Sequence, residues 1–414
     1  MKTNVIKLND SNSVENDSIS QKLEKSRPTT NKFIQAEDYL SCNFDLRYNT
    51  ISLNIEGKRK NETSYKVVNE NDLFIELNKA GVLISLNHLL AILKSNYVKE
   101  YDPFKHYFES LPKWDEQFDY IKFLATHVKA VDQENFYYHF KKWIVRVVAT
   151  AIEDNYFNKQ ALILVHSKQN SGKSTFCRFL CPPSLRDYIA EDFSFDKDSR
   201  IALAKNLIIN IDELSTLDKT DINKLKATLS KDKINERLPY DRKNSIISRK
   251  CSFLGSTNKT EFLTDETGSC RWLCIEISEI NWLYKNKVNI DQVYSQAYSL
   301  YKSKAFEYDM TIEDIAMIQE RNKSYEFLTT ERELIETYFQ PAREKEEYNF
   351  RTATDITMRL STIVLNTVKI NPVQIGKALT ALGYEITKNK KKRKGYFIIE
   401  KLNPDTNQVT LPTP

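Results

Sequence analysis

Glycine is the residue type that this chain most clearly lacks. The 414 residues include only 8 glycines, whereas average usage of about 7% would give about 29. Because glycine is needed mainly where the backbone turns with positive φ or approaches another group closely, the few that remain are expected to mark such positions. Three of them, Gly172, Gly255 and Gly268, lie in the stretches that carry the candidate chemistry.

Long apolar runs are also missing. Uninterrupted apolar stretches reach about five residues, far short of the roughly 20 that a membrane-spanning helix needs. The polar amino-terminal segment has no apolar core of a signal peptide, so we expect a cytoplasmic protein without a membrane partner. Residues 1–33, rich in Asn, Ser, Lys and Glu, are predicted to form a disordered tail.

Cysteine is too sparse for a disulfide framework. Two pairs of cysteines have C-x-x-x-C spacing, which differs from the C-x-x-C spacing of structural zinc sites. We therefore expect reduced thiols packed in the core. The six cysteines are Cys42, Cys177, Cys181, Cys251, Cys270 and Cys274.

The overall composition is that of a soluble globular protein. Hydrophobic residues make up 41% of the chain and charged residues 28%, and the length allows two or three domains. The net charge is only +5, yet residues 388–394 alone supply six positive charges. A charge run is usually a solvated surface, so this one indicates a polyanion only if its local structure presents it to one.

Periodicity predicts several elements. Alternation over residues 46–56 predicts a strand, and residues 72–96 predict helical segments broken near Gly81. From 160 to 280, strand and helix signals alternate, which predicts an α/β layer with a largely parallel sheet. A helix before this layer has an apolar stripe typical of a core-facing surface. The stripe consists of Phe136, Phe140, Trp143, Ile144, Val147 and Ala151.

The segment SKQNSGKST, residues 167–175, directly follows the apolar run ALILV. A strand that leads into such a loop is typical of nucleoside triphosphate sites, where backbone N–H groups and the next helix terminus cradle phosphates. Lys173 can reach the β/γ-phosphates and Ser174 can bind Mg²⁺. Ser167 replaces the usual first glycine, and an ordinary strand, turn and helix is the alternative. The candidate nucleotide-binding residues are Ser167, Gln169, Asn170, Ser171, Gly172, Lys173, Ser174 and Thr175.

Three further motifs follow in order. In NLIINIDEL an apolar strand ends in Asp212, which can hold Mg²⁺, and Glu213, which can activate a water molecule. In SFLGSTN, Asn258 can contact a γ-phosphate or the water, although a turn asparagine is the simpler interpretation. In DETGSCRW, Arg271 can neutralise charge on a transferring phosphoryl group, often across a subunit boundary.

Together these motifs resemble the superfamily 3 helicase modules, and specifically the virulence-associated E family, over roughly residues 85–280. The resemblance implies an AAA+-type P-loop ATPase core that works as a ring, expected to be a hexamer, with ATP and Mg²⁺ as cofactors. It implies that Lys173, Ser174 and Asp212 bind MgATP, with Glu213 as base, Asn258 as sensor and Arg271 as finger. Ser167 and Cys270 depart from the family pattern, since an arginine is common at the position of Cys270.

The segment between the second and third motifs, residues 231–250, looks like the family's pre-sensor hairpin. It contains seven cations and three acids. In the family such a hairpin lines the channel for the single strand, so Arg237, Arg242 and Lys243 are candidate phosphate contacts. A solvated hairpin is the alternative.

The carboxyl-terminal segment predicts a winged helix. Asn371 can cap a helix that starts at Pro372 and closes at Gly383, with Ile375, Leu379 and Leu382 on one face. A hairpin with a basic tip follows, and duplex DNA is its expected partner, with a solubilising tip or a protein-docking wing as alternatives. The candidate DNA contacts there are Lys390, Lys391, Lys392, Arg393 and Lys394.

The first functional hypothesis is an ATP-dependent DNA helicase or translocase that acts as a homo-oligomeric ring, with other replication proteins, in the replication of a mobile genetic element. The alternative is an ATP-gated DNA-binding regulator or defence switch without unwinding activity. A small-molecule kinase is disfavoured, since no lid or acceptor pocket is recognisable. The predicted domains are a tail (1–33), a mainly helical domain (34–152), the ATPase core (153–282), a helical linker (283–347), a winged-helix-like domain (348–402) and a tail (403–414).

Overall fold

The structure is a computed structural model that describes most of the chain. The described residues are 31–191, 193–194, 196–214, 217, 219–237, 243–263, 270–326, 329–342, 349–364, 369–389 and 391–401. The chain divides into two compact units, with the division after Pro103. Most of the predicted amino-terminal tail and the tail at 403–414 lie outside the described residues, but a helix already begins at Lys32.

The amino-terminal unit is a four-stranded sheet with three helices. In chain order its elements are α1 (Lys32–Asn43), β1 (Phe44–Asn49), β2 (Asn54–Arg59), β3 (Lys66–Val67), α2 (Glu70–Lys79), α3 (Leu86–Leu93) and β4 (Lys99–Tyr101). The strand order is β3-β2-β1-β4. The predicted helix break at Gly81 is confirmed, but residues 46–56 form an antiparallel hairpin instead of one strand, because the backbone turns at Leu53 with φ 62°.

A six-stranded sheet dominates the second unit. Its strands are β5 (Val128–Ala130), β6 (Ala161–Val165), β7 (Ile189–Ala190), β8 (Ile208–Ile211), β11 (Ser252–Thr257) and β12 (Trp272–Ile280), and β9 (Lys233–Glu236) and β10 (Ser245–Ser248) form a separate hairpin. The order is β5-β12-β6-β11-β8-β7, and all neighbours are parallel except β5 and β12. The predicted α/β layer with a largely parallel sheet is confirmed.

Helices surround these strands. They are α4 (Pro103–Ser110), α5 (Tyr120–Ala125), α6 (Gln133–Ile152), α7 (Lys173–Phe179), α8 (Lys197–Lys205), α9 (Lys219–Leu229), α10 (Tyr284–Lys287), α11 (Ile290–Ser303) and α12 (Ile312–Asn322). The apolar stripe predicted for α6 is confirmed, since all six of its residues are fully buried. The sequence placed a domain boundary after residue 152, whereas α6 and β5 belong to the unit that contains the large sheet.

Strand order creates a crevice at the carboxyl ends of the parallel strands. β11 lies between β6 and β8, although it follows both in sequence. The strands that follow β6 in sequence first lie on one side of it (β7, β8 and β11), and β12 then pairs on its other side. Such a switch point is where α/β sheets usually bind ligands. Close approach of the strands explains Gly255, because a Cβ there would lie 2.5 Å from the carbonyl oxygen of Ile211.

The described residues between 330 and 400 form a small helical and β-sheet cluster. Its elements are α13 (Thr330–Tyr338), β13 (Phe339–Pro341), β14 (Phe350–Arg351), α14 (Ala353–Ile363), α15 (Pro372–Ala381), β15 (Thr387–Lys388) and β16 (Lys394–Glu400). Asn371 caps α15 by accepting from the Val373 N–H at 2.8 Å, and Gly383 follows it with φ 80°, as predicted. Ile335 and Phe339 belong to the same core, so the cluster begins within the segment predicted as a linker.

Two cations of the predicted basic hairpin are buried. The Arg249 guanidinium donates to the carbonyl oxygens of Cys251, Leu229 and Asn158, each at 2.9 Å. Lys250 forms an ion pair with Asp154 at 2.8 Å. These two cations connect β10 to the amino end of β11 and are unavailable to a nucleic acid.

Replacement of Arg249 by alanine should destabilise the second unit. Three buried carbonyl oxygens would lose their donor, which costs roughly 3 kcal/mol and should lower the melting temperature by roughly 6 to 12 °C. Lys243→Ala removes an exposed cation and serves as the control, with no expected change. Differential scanning calorimetry gives the melting temperature of each variant and of the wild type. A melting temperature of Arg249→Ala equal to that of the wild type would contradict the structural role of Arg249.

Candidate functional site

The loop that follows β6 turns by means of two residues with positive φ. These are Asn170, with φ 55°, and Gly172, with φ 88°. The backbone of Ser167 does not have a positive φ. A serine in place of the usual first glycine therefore causes no backbone strain here. Ser167, Gln169 and Asn170 are exposed, whereas Ser171, Ser174 and Thr175 are half-buried.

Lys173 is the first residue of α7 and is buried. Its ammonium donates to the carbonyl oxygens of His166 and Lys168 at 3.2 and 3.1 Å, to Ser171 Oγ at 2.9 Å and to Asn258 Oδ1 at 2.7 Å. Burial lowers the pKa of this ammonium from its ordinary value. All four acceptors are neutral, so the charge is hydrogen-bonded but not paired with an anion in direct contact.

Asp212 lies directly beyond β8 and collects three hydrogen bonds on one oxygen. Its Oδ1 accepts from Ser174 Oγ and Ser256 Oγ, both at 2.7 Å, and from the Glu213 N–H at 3.1 Å. Burial alone raises the pKa of this carboxyl, but the hydrogen bonds from Ser256, Ser174 and Glu213 outweigh it and hold the pKa below its ordinary value. Asp212 is therefore an anion at neutral pH.

Glu213 occupies an uncommon backbone conformation next to this carboxylate. Its φ is 53°, in the left-handed region that non-glycine residues seldom adopt, and its side chain is exposed. Residues held in such conformations are concentrated at functional sites. The position leaves Glu213 at the rim of the crevice.

The ends of three neighbouring strands thus meet in one polar cluster. Lys173 and Ser174 follow β6, Asp212 follows β8, and Ser256 and Asn258 come from the end of β11. The described residues contain no group of three His, Cys, Asp or Glu that could hold a metal ion. One carboxylate beside a hydroxyl fits Mg²⁺, which proteins usually bind through one or two carboxylates together with substrate phosphates.

Arg271 does not join this cluster within the same chain. Its carbonyl oxygen accepts from the Ala161 N–H at 2.9 Å, so it lies at the amino end of β6. The five residues of β6 span about 16 Å at about 3.3 Å per residue, and Lys173 lies beyond the opposite end. The Arg271 side chain donates instead to Ser230 Oγ at 2.7 Å.

The β9-β10 hairpin also lies toward the amino ends of the strands. β10 leads through Arg249 and Lys250 into the start of β11, and Glu236 pairs with Arg200 of α8 at 2.5 Å. Arg237 and Lys243 are exposed near its tip. Arg242 lies outside the described residues.

The basic loop between β15 and β16 forms a compact turn. Asn389 Oδ1 accepts from the Arg393 N–H at 3.0 Å, and the Asn389 carbonyl oxygen accepts from the Lys392 N–H at 2.9 Å. The remaining candidate DNA contacts, Lys391, Lys392, Arg393 and Lys394, are all exposed. Lys390 lies outside the described part of the chain.

Sequence reasoning missed two residues of the site. Ser256 is one of three polar residues of β11, with Ser252 and Thr257, and the local pattern does not single it out. His166 holds the start of the loop, since its Nε2 lies 2.9 Å from the carbonyl oxygen of Ser278 on β12. Nothing in the local pattern around His166 indicated that contact.

Fold and site together define an α/β protein with a polar cluster at the carboxyl ends of three neighbouring strands. Residues 108–327, more than half of the chain, match the model of the virulence-associated protein E-like domain. The chain belongs to that family. The family resemblance drawn from the motifs is confirmed at this level.

Comparison with solved structures concerns the fold alone. The apo structure of the NrS-1 C-terminal region, residues 305–718, has a TM-score of 0.50 and 13% identity, and the match covers 90% of this chain and 100% of that one. An A-form apo structure of the same region has a TM-score of 0.49, 14% identity and coverage of 89% and 99%. No curated protein matches the chain.

Replacement of Gly172 by alanine should disrupt the loop. A Cβ there would lie 2.7 Å from Trp282 Cζ2, in a backbone conformation with φ 88°, and the loop must shift to relieve the contact. We expect at least about ten-fold weaker binding of MgATP, which corresponds to roughly 1.4 kcal/mol. Gly81→Ala imposes a similar φ of 87° without a contact within 4 Å and should bind as the wild type does in isothermal titration calorimetry. Unchanged binding by the Gly172 variant would show that the loop does not hold the ligand.

Proposed function

We propose that this protein is a Mg²⁺-dependent ATPase of superfamily 3 type that works on DNA as a ring. The observation that carries the proposal is the cluster in which Lys173 contacts Asn258 at 2.7 Å while Ser174 contacts Asp212 at 2.7 Å. In this proposal the large sheet is a P-loop, AAA+-like core. The other residues of the loop, 167, 169–172 and 175, would surround the phosphates.

Lys173 can exchange its present hydrogen-bond acceptors for phosphate oxygens. Its ammonium is buried and contacts only neutral oxygens, and an anionic phosphate oxygen adds a Coulombic attraction that a carbonyl oxygen lacks. Phosphate oxygens would therefore replace the carbonyl oxygens of His166 and Lys168. Asn258 already contacts the same ammonium at 2.7 Å, so its amide would lie close to a γ-phosphate that Lys173 binds.

Ser174 and Asp212 are the residues that would hold Mg²⁺. A hydroxyl and a carboxylate are hard oxygen donors of the kind that this cation prefers, and Asp212 is kept ionised by its three hydrogen bonds. When bound, the cation neutralises charge on the β- and γ-phosphates. Ser256 fixes the Asp212 carboxylate, so it acts by positioning.

Glu213 is proposed as the base that orients and deprotonates the attacking water. It follows Asp212 directly, and its exposed side chain at the rim of the crevice can reach a water molecule that approaches the γ-phosphate. Glu213 has φ 53°, and its backbone N–H donates to Asp212 Oδ1 at 3.1 Å. One acid can then serve the metal while the other serves the water.

The position of Arg271 supports a ring. An arginine at the amino ends of the strands cannot reach the nucleotide of its own chain, which lies beyond the carboxyl ends, but it can face the site of a neighbouring copy. We therefore propose that Arg271 acts as a finger between subunits of a hexamer.

DNA contact is proposed at two places. Arg237 and Lys243, with Arg242, would follow a single strand from the β9-β10 hairpin. The α14, α15 and β15-β16 arrangement is proposed as a winged helix whose basic loop contacts duplex phosphates. Replication of a mobile genetic element, with further replication proteins and in the cytoplasm, is the proposed setting, and it rests on the resemblance to superfamily 3 helicase modules.

Two substitutions separate nucleotide binding from hydrolysis. Lys173→Ala removes the phosphate-binding cation and should reduce MgATP binding below detection in isothermal titration calorimetry. Glu213→Gln keeps the shape of the side chain but not its basicity, so binding should persist while the hydrolysis rate falls at least about 100-fold. Wild-type turnover in either variant would contradict the assigned roles.

A forked DNA duplex tests the motor activity. We expect the wild-type protein to separate the strands in the presence of MgATP, and Glu213→Gln to bind the fork without separating it. Strand separation is followed by the release of a fluorescently labelled strand. Hydrolysis that single-stranded DNA stimulates without any strand separation would instead support the ATP-gated regulator or defence switch.

A further inference from the structure

Trp282 is an exposed tryptophan at the edge of the candidate nucleotide site. It follows β12, and its neighbour Asn281 is fixed by a backbone hydrogen bond to the His127 carbonyl oxygen at 2.7 Å. The side chain is 47% exposed, whereas Trp143 and Trp272 are fully buried. A large aromatic surface is thus held open to solvent beside the crevice.

The indole touches the phosphate-binding loop. A Cβ on Gly172 would lie 2.7 Å from Trp282 Cζ2, 3.1 Å from Cη2 and 3.2 Å from Cε2, so the six-membered ring lies against the Cα of Gly172. Gly172 directly precedes Lys173. The ring therefore lies one residue from the group proposed to bind the β- and γ-phosphates.

Other aromatic residues hold Trp282 in place. Its ring stacks on Tyr284 with a centroid distance of 6.5 Å and an interplanar angle of 21°. Tyr284 is fully buried and packs edge-on against Phe176 and Phe179 of α7, at 5.3 and 4.8 Å. The tryptophan is thereby connected to the helix that carries Lys173 and Ser174.

The Trp282 ring also attracts a cation. The Lys285 ammonium lies 4.5 Å from the ring centroid, and this lysine is exposed. Cation–π contacts at exposed sites are weak, and stacking of a nucleobase on an aromatic side chain is the stronger interaction. A base can therefore displace the lysine from the ring.

We propose that Trp282 is the surface on which the base of the bound nucleoside triphosphate stacks. This inference rests on the proposed function, because the phosphates must lie at Lys173 for the base to reach the indole. Stacking uses the face that every base presents and reads no hydrogen-bonding pattern. The site should therefore accept purine nucleoside triphosphates with little discrimination between adenine and guanine.

The test compares a ligand with a base and a ligand without one. Isothermal titration calorimetry on the full chain measures the affinity for AMP-PNP and for inorganic tripolyphosphate, both with Mg²⁺. Trp282→Ala should weaken AMP-PNP binding roughly ten-fold and leave tripolyphosphate binding unchanged. Trp282→Phe retains an aromatic face and should recover most of the loss, and GMP-PNP should bind to the wild type within about three-fold of AMP-PNP.

Trp114→Phe is the matched control, since Trp114 is a partly exposed tryptophan of the same unit. It should bind both ligands as the wild type does. Equal weakening of both ligands by Trp282→Ala would overturn the proposal and assign Trp282 to packing against Gly172. Unchanged AMP-PNP binding would also overturn it. Wild-type protein that binds neither ligand would contradict the proposed function itself.

Discussion

The Asp212 carboxylate is the point on which the architecture of the site depends. One of its oxygens accepts from Ser174 after β6 and from Ser256 on β11, so a single acceptor connects the ends of three neighbouring strands. In the observed strand order β11 lies between β6 and β8 and pairs with both. Ser256 therefore contacts the carboxylate from the strand that separates the two strands leading to Ser174 and Asp212.

Two buried cations at opposite ends of the sheet show how structural and functional charges differ. Arg249 is completely enclosed, and backbone carbonyl oxygens hold its guanidinium. Lys173 contacts two carbonyl oxygens as well, but also the side chains of Ser171 and Asn258, which belong to a crevice edged by exposed loop residues. Lys173 can therefore exchange its hydrogen-bond acceptors for those of a ligand, whereas Arg249 cannot. In the sequence both are simply basic residues in polar segments.

Much of this organisation could be predicted from local sequence. The α6 stripe, the parallel sheet and the cap of α15 depend on periodicity and on neighbouring residues, which the sequence shows directly. Ser256, Trp282 and the burial of Arg249 could not be predicted, because each depends on a partner 40 to 110 residues away or on strand order. The division after Pro103 could not be predicted for the same reason. The pairing of β5 with β12 assigns β5 to the second unit, and it joins residues that are far apart in the chain.

A crystal structure with AMP-PNP and Mg²⁺ tests the central claim most directly. The account predicts phosphate oxygens on the Lys173 ammonium in place of the carbonyl oxygens of His166 and Lys168, with Mg²⁺ held near Ser174 and Asp212. Asn258 should then face the γ-phosphate. A nucleotide bound elsewhere, with Lys173 still on its present four acceptors, would contradict the account.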